Sequence, residues 1–478
     1  QTPDLERLLG RLPGERIHVT HRLLTGLPKS LRSGRYAITA VLAEEKLIAV
    51  EPGHTAGRLF GVAFDIGTTT IMGSLHDLNS GKMLAVEAVT NPQNVYGADV
   101  ISRITYAAEG TGGLAKLQTK VVEALNRIID SLAREAGVDP QEIFEATAVG
   151  NTAMSHLFLG IDPTYLAPAP FIPAYRRPVD LVAAEIGLAI NPGGRIVVLP
   201  NISGYVGSDT VGVILATGLE QRRDCCAVID IGTNGEIALI AGGRILTCST
   251  AAGPAFEGAH IKQGMRAADG AIEAVRVIDG DVSLEVIGGT APRGICGSGL
   301  IDAAAALLKA AVIEPSGRLV DPETKGKQLP PTLRSRLRRG KGGFDFVLAK
   351  EGDREVSLTQ ADLRELQLAK GAIYAGLQVL LQEAGLTDAD LDEVLLAGAF
   401  GSYIRRESAQ DIGLLPSLPP DKITPVGNAA GRGAQAALIT KTERARAFAL
   451  PDLVEHVELS TRTDFQEAFI EALSFKKR

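Results

Sequence analysis

Phe64-Asp65-Ile66-Gly67-Thr68-Thr69-Thr70 is the stretch of sequence around which the fold can be worked out. Apolar runs at residues 59–64 and 71–75 flank the turn, and this pattern predicts a strand, a tight turn and a second strand. Gly67 lets the backbone approach an anion, while backbone N–H groups and the threonine hydroxyls can donate to phosphate oxygens. Asp65 can hold a hydrated Mg²⁺. The stretch is a candidate phosphate-binding hairpin, with an ordinary hairpin turn as the alternative.

The same pattern returns a domain's length further along the chain, at Asp230-Ile231-Gly232-Thr233-Asn234. Apolar residues 227–229 precede this second copy and residues 237–240 follow it. Two such hairpins at domain-sized separation indicate a duplicated fold with one phosphate-binding hairpin in each half.

A third glycine turn, Gly398-Ala399-Phe400-Gly401, follows the apolar run 394–397. Small residues at the end of a strand let a flat adenine and ribose lie close to the backbone. An ordinary glycine turn is the alternative. Lys370 lies within a helix predicted to begin at a capping box at Thr359, and its stem could cover an adenine. A surface lysine is the alternative there.

Two further segments carry polar residues beside predicted turns. Gly150-Asn151-Thr152 joins a strand to a helix, which suits an anion and makes Asn151 a candidate site residue. The alternative is an ordinary helix start with Thr152 as its N-cap. The loop of residues 91–103 is rich in hydrogen-bonding side chains and is either a site or a loop capped by its own amides. Its polar residues are Asn91, Gln93, Tyr96, Asp99 and Arg103.

The composition is that of a globular protein of two or three domains, with 478 residues, 45% hydrophobic and 22% charged. Aromatic residues make up only 4% and Trp is absent, which argues against a stacking surface for nucleic-acid bases. The net charge of −7 gives no general attraction to nucleic acid or anionic membranes. The sequence has no apolar run of ~18 residues, so we expect no membrane span.

The four cysteines, Cys225, Cys226, Cys248 and Cys296, lack the spacing of an iron–sulfur or zinc site. We expect buried thiols, which fit a reducing cytoplasm. His18 and His21 have no nearby partners that would complete a metal site. Because the chain begins with Gln1, we expect a fragment of a longer protein.

The two hairpins and the glycine turn, in this order and spacing, resemble the phosphate-one, phosphate-two and adenosine elements of the superfamily of acetate and sugar kinases, heat-shock chaperone ATPases and actin (ASKHA). The resemblance covers about residues 59–438. It implies an α/β, duplicated actin/heat-shock chaperone/sugar-kinase-like (RNase H-like) two-lobed fold with an interlobe nucleotide cleft. We therefore expect a small N-terminal linker module at 1–58, a first ATPase lobe at 59–218 and a second at 219–478, ending in a C-terminal docking helix.

Within that superfamily the chain is similar to the reductive activators of corrinoid proteins. The stretches that carry this similarity are 65–70, 91–103, 150–154, 253–257, 363–370, 398–412 and Val457-Glu458-Leu459-Ser460. The resemblance implies ATP-dependent return of a corrinoid cobalt from Co(II) to Co(I). It also implies a corrinoid protein of a methyltransferase system and a low-potential electron donor as partners, and a cytoplasmic homodimer that binds neither nucleic acid nor membrane. Members typically carry an iron–sulfur domain, so we expect a [2Fe–2S] cluster only in an absent N-terminal region.

The resemblance also assigns roles to residues. Asp65 and Asp230 would hold Mg²⁺ through water and, with Asn151 or Glu236 orienting the attacking water, form the catalytic set. The implied nucleotide contacts are Gly67, Thr68, Thr69, Thr70, Gly232, Thr233, Asn234, Gly253, Pro254, Lys370, Gly398, Ala399, Phe400, Gly401 and Tyr403. A small-molecule (sugar-type) kinase and an activator ATPase of 2-hydroxyacyl-CoA dehydratases remain the alternatives on this fold.

Overall fold

The structure is a computed structural model that describes residues 2–14, 16–352 and 354–475, without the side chain of Ala399. By its internal contacts the chain divides into two compact units. The first comprises Gln1–Gly212 and Gly431–Pro451, and the second comprises Val213–Ala430 and Asp452–Arg478. The sequence placed residues 431–451 in the second lobe, whereas the contacts group them with the first unit.

The first unit contains two sheets within the described residues. Its strands are β1 (His18–Val19), β2 (Ile38–Ala43), β3 (Lys46–Pro52), β4 (Phe60–Ile66), β5 (Thr70–Asp77), β6 (Met83–Thr90), β7 (Ile143–Gly150), β8 (Val179–Val182) and β9 (Arg195–Val198). Strands β1-β3-β2 form a small N-terminal sheet, and the larger sheet has the order β6-β5-β4-β7-β9-β8. Strand β4 is antiparallel to β5 and parallel to β7, so the hairpin starts the parallel part of the sheet.

The helices that begin in the first unit are α1 (Asp4–Leu9), α2 (His21–Ser33), α3 (Val100–Ala108), α4 (Gly113–Ala136), α5 (Thr152–Leu159) and α6 (Ser208–Thr217). Helix α4 packs against β5 and β6 with the apolar face that its sequence period predicts, and Gly137 ends it at a φ of 65°. Helix α2 was not predicted, because Gly26 and Pro28 lie inside it.

The strands of the second unit are β10 (Cys226–Ile231), β11 (Gly235–Ala241), β12 (Arg244–Thr250), β13 (Ala271–Ile278), β14 (Asp281–Val286), β15 (Gly294–Ile295), β16 (Leu337–Gly340), β17 (Gly343–Glu351), β18 (Arg354–Thr359), β19 (Glu393–Ala397), β20 (Ile423–Gly427) and β21 (Val454–His456). The main sheet has the order β20-β19-β10-β11-β12-β21. Two three-stranded sheets, β14-β13-β15 and β16-β17-β18, are additions to it.

The remaining helices are α7 (Gly297–Lys309), α8 (Pro331–Ser335), α9 (Gln360–Glu383), α10 (Gly398–Gly401), α11 (Arg406–Asp411), α12 (Ala429–Ile439), α13 (Lys441–Leu453) and α14 (Thr463–Leu473). The predicted capping box at the start of α9 is confirmed: Thr359 and Asp362 exchange side-chain and backbone hydrogen bonds. Helix α14 packs on α9, and most residues of α12 and α13 belong to the first unit.

The two main sheets repeat one topology. Strands β6-β5-β4-β7-β9 of the first unit correspond in order and direction to β12-β11-β10-β19-β20 of the second. In each case a three-stranded antiparallel meander continues into two further strands that run parallel to its first strand. The predicted duplication of an α/β fold is confirmed. Within the described ranges, no helix has the length and apolar character needed to cross a bilayer.

Candidate functional site

The first hairpin forms as the sequence predicts, with β4 and β5 joined by the turn 67–69. Thr68 is buried, and its hydroxyl accepts a hydrogen bond of 2.9 Å from Asn151 Nδ2. The other end of the same amide, Oδ1, accepts from Met154 N at 2.9 Å and caps α5. The N-cap is therefore Asn151, and the prediction of Thr152 at that position was wrong. One amide side chain thus ties the start of a helix to the turn.

The polar loop 91–103 packs against the same turn and donates to three successive carbonyls. Asn91 Nδ2 donates to Gly67 O at 2.9 Å, and Asn91 N donates to Thr69 O at 2.8 Å. Between them, Arg103 Nη2 donates to Thr68 O at 2.6 Å. Asn91 and Arg103 are both fully buried. The loop is bound by its own side chains, as the alternative states, and those side chains also bind the hairpin turn; a role of the loop in a site stays a prediction.

Asp209 belongs to this site, and the sequence analysis did not select it. It lies in the first turn of α6, and Thr210 N donates to its Oδ1 at 2.7 Å. Loss of hydration, together with the charge of Asp65, raises the pKa of the Asp209 carboxyl to about 7. The signal that could have found it is its position: an acidic residue follows the glycine turn 204–207 after β9, at the same sheet edge as Asp65.

The second hairpin also forms as predicted, from β10 and β11. Gly232 N donates to Asn234 O at 3.1 Å and closes the turn. Thr233 Oγ1 donates to Glu257 Oε1 at 2.6 Å. Asp230 and Glu236 are direct cross-strand partners in the antiparallel ladder, so their side chains leave the same face of the sheet. Within the second unit, three carboxylates thus surround this turn.

The glycine turn after β19 lies against the second hairpin. Gly398 has a φ of +86°, and a Cβ added there would lie 2.6 Å from Asp230 Oδ1, so a side chain at this position would displace that carboxylate. Phe400 stacks on Phe256, with ring centroids 5.3 Å apart. Tyr403 is 69% exposed, and the side chain of Ala399 lies outside the described residues.

Gly253 and Pro254 open the short 3₁₀ helix Pro254–Glu257, which carries the carboxylate that binds Thr233. Gly253 has a φ of 77°, which glycine adopts without strain. The structure therefore brings the predicted residues Thr233 and Pro254 together through Glu257, a residue that the sequence analysis quoted only as part of a family stretch.

Lys370 is buried, contrary to the surface alternative. Its ammonium donates to the carbonyls of Ala472 and Ser474 at the end of α14 and lies 5.4 Å from the centre of the Phe475 ring. These contacts fasten α14 to α9. A contact between Lys370 and a nucleotide stays a prediction.

The cysteines are free thiols, as expected; three are buried and Cys225 is half-buried. Burial raises the pKa of the Cys225 thiol to about 11 and that of Cys226 to about 12, which disfavours the thiolates that bind metals. The described residues contain no cluster of three or more His, Cys, Asp or Glu side chains that could hold a metal by themselves.

Mg²⁺ fits this chemistry, because it usually keeps several waters and binds proteins through one or two carboxylates. Asp65 beside Asp209 offers such a set in the first unit, and Asp230 beside Glu236 offers one in the second. Burial is the main cause of the raised pKa of Asp209, and the charge of Asp65 adds to it; a bound cation would offset the repulsion between the two carboxylates.

Comparison with known proteins gives matches along nearly the whole chain. Family models match residues 1–57 (RACo linker region), 60–222 (RACo middle region) and 224–478 (C-terminal domain of RACo, the ASKHA domain). The corrinoid activation enzyme RamQ of Eubacterium limosum is 40% identical over 444 residues, which cover 91% of this chain and 74% of RamQ.

A second relative, the [Co(II) methylated amine-specific corrinoid protein] reductase of Methanosarcina barkeri, is 26% identical over 456 residues, covering 87% of this chain and 77% of the reductase. Among solved structures, a reductive activator for corrinoid, iron–sulfur protein superposes with a TM-score of 0.86 at 38% identity. That match covers 99% of this chain and 76% of the solved chain.

Proposed function

We propose a function from the premise that the chain belongs to the RACo family. We infer that it is an ATP-dependent reductive activator, which returns the cobalt of a corrinoid protein from Co(II) to Co(I). The single observation that carries this proposal is the similarity of nearly the whole chain to a named corrinoid activation enzyme. The partner would be the corrinoid protein of a methyltransferase system.

The nucleotide chemistry follows from the two hairpins. Each turn lies at the end of a strand that carries an aspartate and can offer backbone N–H groups to phosphate oxygens. The first turn also carries the threonine hydroxyls of residues 68–70, whereas the Thr233 hydroxyl of the second turn donates to Glu257. Phosphoryl transfer to water requires mainly positioning and stabilisation of the developing charge. Asp65 and Asp230 would hold Mg²⁺ through water, and the bound ion would neutralise charge on the phosphates.

The contacts of Asn151 and Glu236 bear on which of the two residues orients the attacking water. Both polar ends of the Asn151 amide are engaged, by Thr68 and by the start of α5, so we propose a positioning role for this residue. Glu236 lies directly opposite Asp230 in the ladder and accepts from Ser249 Oγ at 3.3 Å. We propose Glu236 as the residue that orients the attacking water.

The redox step moves one electron from a low-potential donor to Co(II) and leaves Co(I). We propose that a separate donor centre supplies this electron, because the four cysteines lack the spacing of an iron–sulfur site and three of them are buried. ATP hydrolysis can offset an uphill electron transfer only if hydrolysis is coupled to the redox state of the cobalt. The conformation that hydrolysis favours must therefore also bind one cobalt state more tightly than the other. We further propose a homodimer in the cytoplasm, with the linker at 1–58 and ATPase segments at 59–218 and 219–478.

The test is ATP hydrolysis by the chain, measured with and without a corrinoid protein poised in the Co(II) state. We expect basal hydrolysis that the Co(II) protein stimulates, while the same protein in its methylated Co(III) state does not. Absorbance of the corrinoid then reports Co(II) to Co(I) conversion when a low-potential reductant and the iron–sulfur donor are supplied.

Glucose and glycerol are the controls for the kinase alternative. Phosphorylation of either, together with hydrolysis that does not respond to a corrinoid protein, would overturn the proposal. Conversion of Co(II) to Co(I) at the same rate without ATP would also contradict it.

A further inference from the structure

The loop 91–103 is the feature of the first unit that the proposed function does not yet use. It contains two fully buried polar residues, Asn91 and Arg103, and a third, Gln93, that is 1% exposed. Burying a guanidinium costs free energy unless its N–H groups are all bound, so such a residue is retained only in a well-formed network. The network here ends on the phosphate-binding turn.

Arg103 uses all three nitrogens of its guanidinium. Nε donates to Gly97 O at 2.9 Å, Nη1 donates to Gln93 Oε1 at 3.2 Å, and Nη2 donates to Thr68 O at 2.6 Å. Nη2 also donates to Asn94 Oδ1. The loop is itself anchored, because Gln93 Nε2 donates to Leu117 O on α4 at 2.9 Å. The guanidinium therefore joins a rigid support to the middle carbonyl of the turn.

Asn91 completes the set. Its side-chain amide binds the carbonyl of Gly67, and its backbone N–H binds the carbonyl of Thr69. Three successive carbonyls of the turn thus accept hydrogen bonds from this one loop. In a trans peptide group the C=O and N–H point in opposite directions. Fixing the three carbonyls on the loop side therefore turns the N–H groups of the same peptides to the other side, and successive N–H groups that face one way can bind an anion.

We propose that Arg103, together with Asn91, is a positioning residue for nucleotide phosphate: it presets the N–H groups of the first hairpin turn and adds a fixed positive charge beneath them. This inference rests on the proposed function, because it assumes that the first hairpin binds the β- and γ-phosphates. It differs from that function in assigning affinity for phosphate to a buried residue behind the turn. An Arg guanidinium suits this place better than a Lys ammonium, because its planar fork binds several fixed oxygens at once.

The experiment compares binding of ATP, ADP and AMP, each with Mg²⁺, to wild type and to Arg103→Met by calorimetry. Since AMP lacks the β- and γ-phosphates, we expect Arg103→Met to weaken ATP and ADP binding by about 10- to 100-fold while AMP binding changes by less than about threefold. Arg103→Lys keeps the positive charge but lacks the planar guanidinium that binds several oxygens. We expect its affinity for ATP and ADP to lie between those of wild type and Arg103→Met.

Arg444→Met is the matched control. Arg444 also donates to a backbone carbonyl, Ala437 O at 2.8 Å, and pairs with Glu145, but it lies on α13 and its contacts are to α12 and β7. We expect all three nucleotides to bind this variant as they bind wild type. Hydrogen exchange gives a readout without nucleotide: Arg103→Met should speed exchange of the amides of Thr68 to Thr70, and Arg444→Met should not.

Equal weakening of ATP, ADP and AMP by the Arg103 variants, or no weakening, would overturn the inference. If Arg103→Met does not fold, Arg103→Lys and Asn91→Ala decide in the same assay, with a loss of about 3- to 10-fold expected for ATP and ADP but not for AMP. Failure of wild type to bind ATP would instead refute the proposed function, so the two failures are distinguishable.

Discussion

The turn after β4 and the turn after β10 share the sequence Asp-Ile-Gly-Thr, yet their supports carry opposite charge. The first turn is held from behind by the Arg103 guanidinium and by amides of Asn91 and Asn151. The second is held by a carboxylate, Glu257, which accepts from the hydroxyl of Thr233.

The elements that follow the parallel strands also differ between the two units. After β7 the first unit places Asn151 at a helix N-cap, whereas after β19 the second unit places Gly398 against Asp230. After the fifth strand of each repeated sheet, the first unit has Asp209 and the second has Asn428. The two units therefore share a topology but place differently charged side chains around their hairpin turns. We expect the first turn to act more through direct phosphate contacts and the second more through a bound cation.

The largest expected effect is the loss of ATP hydrolysis when either hairpin aspartate is replaced. Asp65→Asn and Asp230→Asn should each lower the rate of ATP hydrolysis by about 10²- to 10³-fold. Each removes a negative charge that would hold Mg²⁺ beside the phosphates. In Asp230→Asn the Mg²⁺ concentration for half-maximal rate should also rise more than in Asp65→Asn, since the Glu257 carboxylate supports the second turn whereas the Arg103 guanidinium supports the first. Steady-state hydrolysis across a Mg²⁺ titration measures both, and identical titrations for the two variants would break the comparison.

The next effect in size is the pH dependence of the free energy of unfolding that Asp209 causes. A carboxyl whose pKa is raised by folding contributes stability that is fully present below its unfolded pKa of about 4 and is lost as pH rises towards its folded pKa of about 7. Asp209→Asn removes the titrating carboxyl, and with it the stability that wild type loses as pH rises. Without nucleotide and Mg²⁺, we expect the free energy of unfolding of the variant to exceed that of wild type by roughly 4 kcal/mol at pH 8, because the folded and unfolded pKa values differ by about three and each pKa unit is worth about 1.4 kcal/mol, and by much less at pH 4.5.

Asp77→Asn is the control of opposite sign; urea titration at pH 4.5 and pH 8 measures the free energy of unfolding of both variants and of wild type. The hydroxyl of Ser80 and the backbone N–H of Asn79 lower the pKa of the Asp77 carboxyl, so its stabilising contribution grows as pH rises. That variant should lose stability at high pH. A gain for Asp209→Asn that is the same at both pH values would show that charge is not its cause.

The smallest effect compares the two threonines. Thr68→Val removes an acceptor from the Asn151 amide, and Thr233→Val removes a donor from the Glu257 carboxylate. Each should lower the free energy of unfolding by about 1–2 kcal/mol, since valine keeps the shape of the side chain and loses the hydroxyl hydrogen bond to Asn151 or to Glu257. Only Thr233→Val should be partly compensated by Glu257→Gln, because that second change removes the uncompensated charge; thermal denaturation of the double variant checks this.

The sequence predicted both hairpins, the strand–glycine–helix at Asn151 and the capping box of α9, because these are local patterns of apolar period and turn chemistry. It missed α2, since Gly26 and Pro28 lower helix propensity and packing of Leu27 and Leu31 overrides it. It also misassigned the N-cap of α5, because Asn and Thr are both favoured there and contact with Thr68 decides between them.

By itself, the sequence determined the repeated hairpins and the duplicated α/β topology, because strand, turn and helix signals are encoded within a few residues of one another. Only the tertiary structure decided what stands behind each turn. The hydrogen bonds of Arg103 with Thr68 and of Thr233 with Glu257, and the repulsion between Asp65 and Asp209, join residues far apart in the chain. No local period encodes such pairs, because they arise only when separate segments pack at the same sheet edge and must satisfy buried charges and carbonyls there.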